Sequence, residues 1–266
     1  MNIKLPLRYL AMQSSGPEDN IEENIAHTKA EFEVETEETA LVLVDVWGGH
    51  PVKSHAERTW SIMQEKIAPL LTAVREAGIA VVYAPSPSVA KNYAQSDRYG
   101  GDNNSSEALH ESTVDLSLWP PKAFRDRTGD YAAYRRQPHV RPKEYEGPYP
   151  EWWHIRDIAS VIEPKDNDFV VATGAQLQRL LTDKKILHLL YVGFATNICV
   201  LNRDYGIRAM KERGYLTIVL RDCTSAIETR QSWEGMWTTK WAIQEIERYH
   251  FTALSGDLVE ACSGPS

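Results

Sequence analysis

The chain is short of cysteine: three in 266 residues, Cys199, Cys223 and Cys262, with no Cys-x-x-Cys pair. An odd, sparse set excludes a disulfide framework and a zinc ribbon. No apolar run is long enough to span a bilayer. There is no excess of positive charge either; the net charge of −8 argues against a general nucleic-acid binder. No G-x-G-x-x-G or Walker loop is present, so nucleotide binding lacks support, and no internal repeat is visible. Arg8 interrupts what would be the apolar region of a signal peptide. A reducing, cytoplasmic setting is the expectation, and it suits a free thiol.

What is present is an alternation of apolar strands and amphipathic helices. The strands read at Thr39–Asp45, Ile79–Ala84, 168–173, 188–194, 216–221 and His250–Leu254. Between them, Trp60, Met63, Ile67, Leu70, Leu71 and Val74 repeat at helical steps, and further helices read at about 175–183, 197–213 and 231–248. This order predicts a three-layer α/β/α domain around a mostly parallel sheet of six strands. The domain is expected over 38–260, with residues 1–37 as a polar, acid-rich arm and 261–266 as a tail.

A connection far longer than usual, about 88–163, separates the second and third of these strands. From Trp119 to Asp157 it carries eight Lys/Arg against six Asp/Glu, interleaved with Tyr131, Tyr134, Tyr145, Tyr149, Trp152 and Trp153. Such a segment serves as a lid over a site or as an oligomer interface. A homo-oligomer is expected, with neither nucleic acid nor membrane as partner.

The most informative stretch runs from Tyr191 to Val200. The apolar run His188–Phe194 reads as a strand, Ala195-Thr196-Asn197 as a sharp turn with two candidate N-caps, and Cys199 as a first-turn residue. Ile198, Leu201, Tyr205 and Ala209 are spaced for one buried face. Free N–H groups at a helix start favour an anion, so a thiol there is expected to ionise more readily. The bland alternative is a small core cysteine. Asp45, closing a buried strand, would share a rim with this turn, because ligands of open α/β sheets sit beyond the strands' carboxyl ends. A carboxylate beside a thiol is a minimum kit for acyl transfer.

Three segments, Ala40–Asp45, Gly193–Val200 and Gly214–Ser225, resemble those of the isochorismatase-like cysteine hydrolases, which include nicotinamidases and ureide amidohydrolases. The resemblance covers roughly 36–90 and 160–260. It implies a Rossmann-like fold and an Asp–Lys–Cys catalytic set. Carried over, Asp45 is the acid/base and Cys199 the nucleophile, the Phe194–Ala195 bond is the cis candidate, and the Ala195 and Cys199 N–H groups hold the oxyanion. Trp47, His50, Phe194, Trp153 and His154 are candidates to line the substrate pocket. The family's metal element falls on Ala84–Ser88, where no ligand stands, so neither metal nor cofactor is expected.

One departure stands out. The family's Lys position falls on Thr173, which cannot supply a positive charge. Lys165, His154 or an Arg of the insertion are the candidate replacements. The leading expectation is hydrolysis of a C–N bond in a small amide or ureide through a Cys199 thioester. Two rivals remain open: non-covalent vinyl-ether hydrolysis with Asp45 as proton donor, and a ligand-binding protein without catalysis.

Overall fold

A computed structural model describes residues 1–100, 120–126, 128–135 and 157–264. The chain divides into two compact units, Met1–Gly101 with Ile155–Ser266, and Asp102–His154. In the second unit the described residues form a short helix, Lys122–Arg125, and a 3-10 turn, Gly129–Arg135, with Phe124 edge-on to Tyr131 at 5.1 Å.

The first unit is built on one eight-stranded sheet in the order β2-β1-β8-β7-β6-β3-β4-β5. The strands are β1 (Asn2–Met12), β2 (Ile25–Glu35), β3 (Thr39–Val44), β4 (Ala80–Ala84), β5 (Phe169–Val170), β6 (His188–Phe194), β7 (Leu216–Ser225) and β8 (Phe251–Ala253). The six expected strands are β3 to β8, and every pairing among them is parallel. The sheet has two strands more than expected because the N-terminal segment is an antiparallel hairpin, β1–β2, that joins through β1 to β8. Its pattern is period-two: Ile3, Leu5 and Leu7 are buried, while Asn2, Lys4 and Pro6 point outward.

β3 is buried on both faces, which is why its sequence is continuously apolar. Leu41 and Leu43 point into one core, with Met63, Ile67, Leu70, Leu71 and Val74 from the helical segment 53–76 and Leu258 from the helix Ser255–Cys262. Ala40, Val42 and Val44 point into the other, with Leu177, Leu180 and Leu181 from Gly174–Lys184, Ile207 and Met210 from Ile207–Glu212, and Ile246 from Trp237–Glu247. That is a three-layer α/β/α arrangement, with the strands' carboxyl ends on one rim. Asp222, inside β7, ties that strand to the start of the helix Ser255–Cys262: its carboxylate accepts from the Ser255 N–H at 2.8 Å and the Ser255 hydroxyl at 2.6 Å.

The helix expected over 197–213 is broken. A π-type turn, Thr196–Val200, is followed by a bend, and the helix resumes only at Ile207. Gly206 makes the bend possible, since a Cβ there would lie 2.8 Å from the Val200 carbonyl oxygen. The expected buried face is therefore incomplete: Leu201 and Tyr205 are buried, but Ile198 is 44% exposed.

Candidate functional site

The site begins where β3 and β6 end side by side. Gly193 is required there: its φ is +119°, and a Cβ would sit 2.0 Å from the Val44 carbonyl oxygen. The Phe194–Ala195 peptide is cis, at the bond singled out in the sequence. Ala195, not Thr196 or Asn197, is the cap of the following turn, and no side chain caps it. Thr196 is instead turned inward, its hydroxyl 2.7 Å from that of Thr224.

Asp45 leaves β3 in the left-handed region, at φ +46°, and is only 2% exposed. One oxygen, Oδ2, accepts two hydrogen bonds from Arg203, from Nε at 3.2 Å and Nη2 at 2.9 Å. The other, Oδ1, has no hydrogen-bond partner among the described residues. The Cys199 thiol lies within electrostatic and weak hydrogen-bonding reach of this carboxylate, though not in bonding geometry with Oδ1. The Ala195 N–H is directed at the same sulfur.

These neighbours reverse the expected ionisation. Burial, then the charge and hydrogen bonding of Asp45, push the Cys199 thiol up to about 12. Arg203 and the Ala195 N–H act in the opposite direction, but less. The turn behind Cys199 is also too short to present a sizeable helix dipole. At neutral pH the resting thiol keeps its proton.

The cation beside Asp45 is Arg203, a residue not among the candidates read from the sequence. Burial works against its charge, but Asp45, Tyr205 and Cys199 outweigh burial and hold it firmly protonated. Lys165, one of the expected replacements, is exposed. Thr173 does not carry charge but caps the helix Gly174–Lys184, its hydroxyl accepting from the Gln176 N–H at 3.2 Å. Tyr205 was also read only as a core residue. It is 1% exposed, its hydroxyl has no hydrogen-bond partner among the described residues, and burial and the Asp45 charge push its pKa up.

Three of the candidate lining residues, Trp47, His50 and Phe194, are among the described residues. Trp47 is hydrogen-bonded back to the Asp45 carbonyl at 3.0 Å and bridges to Ile158. His50 lies edge-on to His55 at 4.7 Å, and His55 stands edge-on to Phe194 at 6.3 Å. Trp153 and His154 lie outside the described residues. Among the described residues, no group of three metal-binding side chains occurs and no helix is long and apolar enough to cross a membrane.

A family model described as the isochorismatase domain matches residues 39–246. The chain belongs to the isochorismatase family. Solved structures agree on the fold. A cysteine hydrolase from Pseudomonas syringae pv. phaseolicola 1448A superposes with a TM-score of 0.52 at 16% identity, covering 86% of this chain and 94% of its own. An isochorismatase family protein from Burkholderia thailandensis gives 0.50 at 18%, covering 85% and 96%. No curated protein matches the chain. In this isochorismatase-family fold, Asp45 and Cys199 lie beside each other past the ends of β3 and β6, and Arg203, four residues after Cys199, donates to the Asp45 carboxylate.

Proposed function

We propose that this isochorismatase-family chain hydrolyses a C–N bond in a small amide or ureide through a thioester on Cys199. The observation that carries the reading is the buried Asp45 carboxylate, one oxygen uncommitted, beside a thiol that follows the sharp turn at the end of β6.

The uncommitted oxygen of Asp45 takes the S–H proton as the sulfur bonds to the substrate carbonyl carbon. The N–H groups of Ala195 and Cys199 receive the oxyanion, each worth on the order of 3–4 kcal/mol in comparable sites. The C–N bond then breaks, Asp45 returns the proton to the leaving nitrogen, and the amine or ammonia departs. Water attacks the thioester with Asp45 again as base, releasing the acid and restoring the thiol. A thiol that is protonated at rest fits general-base delivery, in which the nucleophile is made only when substrate is present. Cys199→Ala and Asp45→Asn should each abolish turnover, and rapid mixing followed by intact-mass measurement should find an acyl adduct on the wild-type chain. Full activity in Cys199→Ala would overturn the covalent reading. It would favour the non-covalent alternative, vinyl-ether cleavage with Asp45 as the proton donor, to which the raised pKa of the thiol also lends support.

A further inference from the structure

We propose that Arg203 is the positioning cation of the Asp45–Cys199 pair, a permanent guanidinium on the nucleophile's own turn that takes over the work of a strand-borne lysine. The catalytic side of this rests on the hydrolase reading above; the electrostatic side does not.

Geometry makes the first argument. Arg203 follows Cys199 by four residues, and its N–H donates to the Cys199 carbonyl at 3.1 Å. The side chain therefore rises from the same turn as the nucleophile. Both of its bonding nitrogens engage Oδ2 of Asp45, which leaves Oδ1 as the oxygen able to exchange a proton. A guanidinium fork suits that task because it fixes the orientation of the carboxylate as well as its charge.

The second argument concerns how the turn is held. Asp204, the next residue, accepts from the Gly174 N–H at 2.7 Å. A Cβ on Gly174 would lie only 2.1 Å from the Asp204 carbonyl oxygen. The Arg213 guanidinium donates to the Gly174 carbonyl at 2.7 Å. The segment after β5, which in the family pattern delivers the lysine, here clamps the turn that carries Arg203.

The chemical consequence follows from the cation's identity. A lysine can lose its proton in a buried site, whereas a guanidinium does not. Arg203 can orient and stabilise but cannot act as an acid or base. The charged and titratable groups that bear on Cys199 include Asp45, just past β3, and Arg203 and Tyr205 after its own turn; those bearing on Arg203 include Asp45, Tyr205 and Cys199. No cation that titrates below the guanidinium range stands in this set.

The test reads Cys199 directly, with iodoacetamide as probe and peptide-resolved mass spectrometry, on full-length wild type, Arg203→Gln, Arg203→Lys and Asp45→Asn. Arg203→Gln removes the one charge that favours the thiolate, leaving only the Ala195 N–H, and should slow alkylation at about pH 9 by about tenfold or more. Arg203→Lys should restore most of the rate, and Asp45→Asn, which removes the like charge, should exceed wild type. With an amide that the wild type turns over, Arg203→Gln should lose about a hundredfold or more in kcat with little change in KM, and Arg203→Lys should add an alkaline limb to the pH profile. Alkylation and turnover unmoved by Arg203→Gln would overturn the assignment of Arg203 while leaving the hydrolase reading intact. A wild type that cleaves no amide, yet shows the alkylation series above, would overturn the hydrolase reading and keep the electrostatic role. If Arg203→Gln does not fold, Arg203→Lys decides: alkylation close to wild type together with a new alkaline limb in the pH profile would support the role, and the absence of any new alkaline limb would refute it.

Discussion

Acid should weaken this fold through one identifiable histidine. His55 is 3% exposed, in the helix Lys53–Ile62, with the Arg58 guanidinium donating to its Nδ1 at 3.1 Å and the rings of His50 and Phe194 against it. Burial, then the charges of His50 and Arg58, lower its pKa from 6.5 to about 3. The folded chain thus refuses a proton that the unfolded chain accepts below pH 6.5. Stability is fully present above that value, falls as pH drops, and levels off below about 3. At about pH 4.5 the ring is some two pH units below its unfolded pKa, so the cost is about 3 kcal/mol at 1.36 kcal/mol per unit. Urea unfolding followed by tryptophan fluorescence, at about pH 7.5 and pH 4.5, should show the wild type losing about 3 kcal/mol more than His55→Gln between the two conditions. Other acid-sensitive groups, including His250 with its own pKa lowered to about 4, are common to both proteins and cancel in the difference. Equal losses in the two proteins would refute the reasoning, because they would mean that the ring is protonated inside the folded chain at no cost.

Two further substitutions probe the site's frame. Gly193→Ala places a methyl group 2.0 Å from the Val44 carbonyl oxygen at a φ that L-residues rarely adopt. It should cost about 4 kcal/mol or more, read as loss of soluble folded protein or a large fall in Tm; a variant melting near wild type would show that β3 and β6 can part there. Tyr205→Phe removes a buried hydroxyl that lacks a partner among the described residues. It should stabilise the chain by about 1 kcal/mol in the same urea assay, and a net loss would reveal a hydrogen bond that the hydroxyl does make.

Much of this architecture was legible because burial writes itself into sequence. β3 and β6 lie inside the sheet, so Ala40–Val44 and Leu189–Phe194 are apolar throughout and their ends were readable to within a residue. The cysteine turn was legible because Gly193 and the residues after it answer a local steric demand. The N-terminal hairpin was missed because its alternation, Ile3, Leu5, Leu7, is diluted by charge on the outward face, and charge in an acid-rich segment reads as an arm. The broken helix was missed because periodicity reports which residues can face a core, not whether hydrogen bonds run continuously between them; Gly206 was the available warning. Arg203 was missed for a different reason. Its partner Asp45 is 158 positions away, and no local pattern encodes that contact. The spacing to Cys199, four residues within the helix expected over 197–213, was in view and is what would have found it.

The two ends of the sheet bear on how copies of this chain can meet. Among the described strands, the outermost are β2 and β5. β2 presents Lys29, Glu31, Glu33 and Glu35 as exposed residues along its length, while β5 is two residues long. A neighbouring strand arriving at β2 would have to bring its backbone up against a row of charged side chains, three of the four carboxylates, and one arriving at β5 would find hardly any ladder to extend. Strand addition is thereby discouraged at both borders of the described sheet, so a sheet that grows from one molecule into the next is not a route this edge chemistry favours.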